Sequence, residues 1–377
     1  MWRCGKKPIS DFWGCLARIS EKLDFAKRYA AMIRVGLVGV GFMGWIHYLA
    51  YQRSELAKLC AFSSRDDKKR AGDWRGIRGN FGPPGEQIDV SGMKTSATLE
   101  EMLRDPELDV IDICLPPHLH VEAAIQSLEH GKHVFCEKPL GLNTADCDRI
   151  LSAAKANGRL VMVAQVLPFI GPFAYAVRVA ASGQYGKPIG GYFKRIISNP
   201  DWIPDFFDPD RVGGPLVDLH VHDAHYIRLL FGMPKRVYSR GATKGSVVKF
   251  CHSLFEFDDA SISVAASSGT IDPSGRPFTH GFELYLERAT LQFEFAGFTD
   301  GGETMPLKVL TTEGEVLRPE LPVADDVSAF VDEIADMASS VSSGVVAPRL
   351  DGMLARDAIH LCLCQQRSVF EQRPIAT

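Results

Sequence analysis

No stretch of the 377-residue sequence stays apolar for the roughly 18 to 20 residues that a bilayer-spanning helix needs, because Glu, Lys, Arg or Asp interrupts every hydrophobic run. A membrane-embedded chain is excluded on that reading. Neither sign of charge is in excess. Lys+Arg 42 against Asp+Glu 46 leaves a formal net charge of −4, which gives no electrostatic reason to bind nucleic acid or an anionic membrane surface. Cys-x-x-Cys is missing, and the nine cysteines, an odd number, are scattered over the whole length. Neither a disulfide scaffold nor a thiolate zinc site is therefore encoded, and a reducing cytoplasm is the expected compartment. The first 31 residues carry Arg3, Lys6, Lys7, Arg18, Lys22, Lys27 and Arg28 but no apolar segment or small-residue cleavage site after them, so no secretory signal is read there. They are expected to be an amphipathic appendage or the product of an upstream start.

A chain that is 46% hydrophobic and 23% charged is globular in composition, and its length exceeds the roughly 250 to 300 residues at which a single core stops growing. Two domains are expected, residues 32–167 and 168–377. From Ile33 onward short apolar runs alternate with helical periods, the order of a parallel sheet covered by helices. Ile33 to Val38 reads as a buried strand that runs into Gly39-Val40-Gly41-Phe42-Met43-Gly44 and then a helix from Trp45. That Gly-x-Gly-x-x-Gly, between strand and helix, is the setting in which backbone can approach a pyrophosphate at a helix N-terminus. Gly39, Gly41, Phe42, Met43 and Gly44 are the expected cofactor contacts.

The second strand, Ala57 to Phe62, ends in Ser63-Ser64-Arg65-Asp66-Asp67, about twenty residues past the last glycine. Ser64 and Arg65 suit a ribose 2′-phosphate, whereas Asp66 or Asp67 would hold a 2′-hydroxyl, so NADP is modestly preferred over NAD. A Gly- and Pro-rich loop from Gly72 to Ser96 is long for a connection and is expected to be functional or mobile. Two further strands end in Leu115-Pro116-Pro117 and in Glu137-Lys138-Pro139. In an open parallel sheet ligands lie beyond the carboxyl ends of the strands, so topology points Lys138 at a nicotinamide.

These segments together, Gly39 to Gly44, Leu115-Pro116-Pro117 with His120, and above all Gly131-Lys132-His133-Val134-Phe135-Cys136-Glu137-Lys138-Pro139-Leu140, resemble the Gfo/Idh/MocA family of NAD(P)-dependent oxidoreductases. The resemblance covers the chain from about Ile33 to its end. It implies an α/β fold: a doubly wound Rossmann domain followed by an α+β domain with a large, mostly antiparallel open sheet. It implies oxidation or reduction of sugars, cyclitols and related polyols, with Lys138 binding substrate and assisting proton transfer, and often a cis peptide before Pro139. Pro116, His120 and Glu137 fall among the implied cofactor contacts, and Gln165 among the substrate contacts.

In the second half, later runs such as Val247 to Phe257 and Ala289 to Phe295 alternate as half-buried antiparallel strands do, and an open sheet face points to a homodimer or homotetramer. Pro215 to Gly232 reads as one helix, with Asp218, His222 and His225 on one stripe and His220 and Asp223 pointing elsewhere. A carboxylate and an imidazole on one face suit alcohol oxidation, since a base must take the hydroxyl proton. The segment is similar to the family's Asp-x-Gly-x-His-x-x-Asp, which supports catalytic roles for Asp218 and His222. His220 replaces the usual small residue and His225 the second aspartate. A divalent ion on Asp218, His222 and His225 is the alternative, although no metal is the expectation. Trp202, Arg211 and His225 are further candidate substrate contacts. The function expected is hydride transfer between a nicotinamide and a polyol. The alternatives are glycosidic bond cleavage through transient oxidation, and a nucleotide-binding regulator without turnover.

Overall fold

Short β-branched and apolar runs build the first layer, and the computed structural model describes them as part of residues 32–200, 203 and 205–377. The expectations for residues 1–31 and for Trp202 lie outside the described residues. Strands β1 (Ile33–Val38), β2 (Ala57–Ser63), β3 (Lys94–Ser96), β4 (Val110–Ile113), β5 (His133–Glu137) and β6 (Val161–Ala164) form one parallel sheet in the order β3-β2-β1-β4-β5-β6. The order reverses between β1 and β4, so a crevice opens beyond their carboxyl ends. Helix α1 (Phe42–Tyr51) starts three residues earlier than the periodicity suggested, because Gly41 caps it and the remainder of the glycine motif is already its first turn.

Strand β7 (Pro188–Ser198) begins a second, nine-stranded sheet with β8 (Arg236–Lys244), β9 (Val247–Glu256), β10 (Ser263–Ile271), β11 (Phe278–Leu286), β12 (Ala289–Phe298), β13 (Gly301–Thr311), β14 (Val316–Leu317) and β15 (Ile375–Ala376). Its order is β14-β13-β12-β11-β7-β10-β9-β8-β15, antiparallel throughout except for β7 beside β10. Along β9 the alternation is clean: Cys251, Ser253 and Phe255 face the core while His252, Leu254 and Glu256 face out. On the outer face Leu254 is 60% exposed, and Tyr192 and Tyr285 are exposed beside it.

One departure from the expected helices bears on the site. The single helix expected from Pro215 is a π turn, Leu216–His220, that passes into helix α2 (Val221–Phe231). The wider π turn brings Leu216, Val217 and Val221 into the apolar cluster that also holds Leu140 and Cys147 of the first layer. This contact seats the Asp218 segment against the carboxyl end of β5. Helix α3 (Ser328–Ser343) crosses back to the parallel sheet, where Phe330, Ile334 and Met337 share a core with Val35 and Leu37 of β1. Helix α4 (Gly352–Glu371) wedges between the layers, with Ala355, Ile359 and Cys362 beside Ile150 and Val221.

The Gly72–Ser96 loop is packed. Trp74 is fully buried, Trp45 Nε1 donates to Pro83 O at 2.8 Å, and Gly82 N donates to Asp326 Oδ2 at 2.9 Å. Among the described residues no helix is long and apolar enough to cross a membrane.

Candidate active site

The glycines at the end of β1 divide three tasks between them. A Cβ at Gly39 would lie 2.4 Å from Cys114 O, and its φ of +99° is one that other residues rarely adopt. A Cβ at Gly44 would lie 2.2 Å from Gly39 O, so the helix closes directly on the turn. At Gly41 a Cβ would meet nothing within 4 Å, which leaves open space in front of the first amides of α1. Those amides have no partner within the helix. A surface that is tight on both sides and open in the middle fits a pyrophosphate. Phe42 packs on Phe81, 4.8 Å between ring centroids, and Met43 is half-buried.

At the end of β2, Ser64 is half-buried and Arg65 exposed. Asp66 is engaged as a helix cap, accepting from Lys68 N at 2.8 Å and Lys69 N at 3.4 Å, and Asp67 pairs with Arg70. Lys69 Nζ donates to Val40 O at 2.6 Å, tying this strand end to the glycine turn. Pro116 is exposed beyond β4. His120 is buried, with Nδ1 2.8 Å from Pro139 O and Nε2 2.7 Å from Leu115 O. Burial lowers its pKa, and the neutral ring can donate to only one of these two carbonyls at a time.

The Lys138–Pro139 peptide is cis. Lys138 Nζ donates to Asp218 O at 2.6 Å and to Asp218 Oδ1 at 3.1 Å, both side chains being about one-fifth exposed. His222 stands beside this pair with Nδ1 buried and unpartnered. Burial, reinforced by the charges of Lys138 and Arg195, holds its pKa well below the ordinary 6.5. Gln165, at the end of β6, is buried with neither amide atom bonded. Arg211 pairs with Asp205 at the half-exposed rim. His225 is fully buried and neither ring nitrogen has a partner; burial, then Arg228, pushes its pKa down to about 3. His220 and Asp223 face elsewhere, His220 Nε2 meeting Gln365 at 2.9 Å and Asp223 pairing with buried Arg195 at 2.7 Å.

Asp218, His222 and His225 are not among the groups whose possible ligand atoms lie within 4.8 Å of one another; among the described residues only His47, Asp112 and Cys114 are. Those three are already hydrogen-bonded to one another, with His47 Nδ1 2.8 Å from Asp112 Oδ2 and 3.5 Å from Cys114 Sγ.

Several polar residues at the site escaped the sequence reading. His280, on β11 opposite Arg195, is buried against Phe278 and Phe173 with Nδ1 unpartnered; burial, then Arg195, pushes its pKa down to about 3. Below the crevice, His47 Nε2 meets Glu137 Oε1 at 3.1 Å, Tyr51 donates to Asp112 at 2.8 Å, and Glu333 of α3 is fully buried with both carboxyl oxygens unpartnered. Burial, and then the charge of Glu137, raises the Glu333 pKa well above the usual range. The available signal was Asp112 itself, a lone carboxylate inside Val110-Ile111-Asp112-Ile113, a strand otherwise buried and apolar.

Comparison with known proteins returns two family matches: residues 33–165 match a model described as "Oxidoreductase family, NAD-binding Rossmann fold", and residues 173–292 match "GFO/IDH/MocA C-terminal domain". A myo-inositol 2-dehydrogenase of Thermotoga maritima is 31% identical over 202 residues, 53% of this chain and 55% of that protein. A scyllo-inositol 2-dehydrogenase (NADP(+)) of Bacillus subtilis is 32% identical over 161 residues, 40% of this chain and 47% of that protein. The chain thus spans about half the length of these curated relatives. A levoglucosan dehydrogenase solved with NADH and levoglucosan superposes with a TM-score of 0.73 at 19% identity, over 92% of this chain and 99% of that one, and so shares the fold.

The neutral buried histidines have a consequence for stability. Unfolding frees His225 and His280 to titrate near 6.5, whereas in the fold both stay neutral down to about 3, so acidification favours the unfolded chain from about pH 6.5 downward. Each ring should cost about 2 kcal/mol between pH 7 and pH 5. The denaturation midpoint should fall over that range in wild type and fall less in His225→Phe. Equal midpoints at the two pH values in wild type would refute the account.

Proposed function

The chain belongs to the Gfo/Idh/MocA family of oxidoreductases, and on that premise we propose that it is an NAD(P)-dependent dehydrogenase acting on a secondary hydroxyl of a sugar, cyclitol or related polyol. The observation that carries the reading is the Lys138 ammonium anchored on both the carbonyl and the carboxylate of Asp218, beside an unpartnered, neutral His222. When bound, the nicotinamide cofactor supplies the hydride acceptor or donor. The turn from Gly39 to Gly44 and the strand ends at Ser64, Arg65 and Pro116 are the residues that would hold it.

The remaining chemistry belongs to the side chains. An ammonium has three N–H groups, and Asp218 engages two of the donor directions on Lys138, which leaves one for a substrate oxygen. A donor there stabilises the negative charge that grows on oxygen as the alcohol becomes a carbonyl. His222, held neutral, can take the hydroxyl proton and return it in the reverse direction. Gln165, with donor and acceptor both unbonded, suits a neighbouring hydroxyl of a polyol, where a compound lacking that hydroxyl would leave it unpaired. His225 is a candidate for the same wall.

Lys138→Met and His222→Ala should each lower turnover of myo-inositol, or of whichever sugar in a panel gives a net nicotinamide absorbance change, by about 100-fold or more, while calorimetry finds cofactor affinity nearly intact. Comparable loss of cofactor binding in both variants would refute these roles.

We further propose a preference for NADP(H). Asp66 Oδ1 is engaged in capping the short helix that follows β2, while exposed Arg65 is available to pair with a phosphate dianion. Arg65→Ala should weaken NADP(H) about tenfold or more and leave NAD(H) nearly unchanged in calorimetric titration. Tighter NAD(H) binding by wild type would refute the preference.

The outer face of the nine-stranded sheet supports assembly into a homodimer or homotetramer, since Leu254, Tyr192 and Tyr285 stand exposed on one side of it. Light scattering at micromolar concentration should give a dimer or tetramer. A Leu254→Glu variant should move the mass toward the monomer, and a wild-type monomer would count against the interface.

A further inference from the structure

The buried cluster beneath the crevice joins three elements that have no other polar reason to meet. His47 comes from α1, one turn past the glycine motif; Asp112 comes from the middle of β4; and Glu137 closes β5 immediately before Lys138. Both ring nitrogens of His47 face carboxylate oxygens, Nδ1 at 2.8 Å from Asp112 Oδ2 and Nε2 at 3.1 Å from Glu137 Oε1. A neutral imidazole carries one N–H and one lone pair, and the lone pair would repel the second carboxylate. The ring therefore donates in both directions as an imidazolium. Burial opposes that charge, and Asp112 together with Cys114 more than offsets it, raising the pKa well above 6.5. Tyr51 OH donates to the same Asp112 oxygen at 2.8 Å, and the rings of Phe135 and Phe330 wall the imidazole at 5.7 and 5.8 Å between centroids. Cys114 and the uncharged Glu333 complete the titratable groups around it.

The second oxygen of Glu137 is where this cluster reaches the site. Glu137 Oε2 accepts the backbone N–H of Lys138 at 3.0 Å. A glutamate side chain free to change rotamer would lose that bond, and with it the fixed origin from which the long lysine side chain reaches Asp218. With Oε1 held by His47, the carboxylate plane is fixed at both ends.

We propose that His47 is a positioning residue for Lys138: its ring bridges Asp112 and Glu137 and thereby holds Glu137 in the orientation that receives the Lys138 N–H. The inference rests on the reading of Lys138 as the substrate-facing donor, but its first test does not. His47 makes no hydrogen bond to Lys138 or His222; its side-chain partners are Asp112, Glu137 and Cys114. Its influence passes through one carboxylate and one amide.

The test is hydrogen exchange on the full-length protein, followed over the segment Cys136 to Leu140, in wild type, His47→Gln and Asp112→Asn. Gln keeps polarity but cannot donate on both sides at this span, and Asn keeps volume while removing the charge that orients the ring. Exchange in that segment should accelerate about tenfold or more in both variants while β1 remains protected. Unchanged exchange in either variant that folds overturns the proposal, as does acceleration spread evenly through the parallel sheet, which marks general loosening. Asp112→Asn decides the matter if His47→Gln fails to fold. With a substrate that wild type turns over, kcat should fall about tenfold with KM and cofactor affinity within about threefold. A matched loss in cofactor affinity overturns it. If wild type turns over no polyol in the panel, the dehydrogenase reading fails, and the exchange result alone supports or overturns the bridge.

Discussion

Lys138 joins two halves of the chain that fold from unrelated patterns. Its backbone belongs to the end of a parallel strand, and its Nζ is held by a carbonyl and a carboxylate on a π turn 80 residues later. Apolar packing of Leu216 and Val217 against the first layer brings the π turn close enough for that contact. The ammonium then links the layers at the point where the crevice between β1 and β4 opens. Partial solvation of this pair, about one-fifth exposed, weakens its electrostatic hold. Geometry does more: the carbonyl of Asp218 is fixed by the turn, and the Lys138 amide is fixed by Glu137.

Histidine serves in opposite ionisation states on the two sides of this contact. His222, His225 and His280 lie in surroundings where burial and nearby cations keep the ring neutral. His47 lies between two carboxylates and is charged. The neutral rings carry unpartnered nitrogens, which are available to hydroxyl groups or to water. The charged ring has none free, as suits a group that braces others.

Much of the frame was legible from local pattern. The glycine turn, the parallel strands, the strand end at Lys138 and the alternation in β9 follow from period and composition, which are properties of neighbouring residues. Catalytic roles for Lys138 and Asp218 came from likeness to a family, but their contact was not read, since spacing gives a helical face and not the strand it will meet. Three features were beyond reach. The π turn has no compositional mark that separates it from an α-helix. Strand β8 has little to mark it in sequence, since within Arg236–Lys244 only Val237 and Ser239 are buried. The His47 bridge depends on residues 65 and 90 positions apart, and only the isolated Asp112 hints at it.

Helix α3 carries a consequence for the order in which the molecule can be made. The parallel sheet is written within residues 32–167, yet Phe330, Ile334 and Met337 supply part of the apolar cover over β1. A growing chain that has released the whole sheet still lacks this helix, and its bare patch must wait for some 160 further residues. At synthesis rates of about 5 to 20 residues per second, that is a delay of roughly 8 to 30 seconds. The nucleotide-binding layer is therefore first in sequence but not first to be finished. Throughout that interval it presents to chaperones, or to other nascent chains, the surface that α3 later covers.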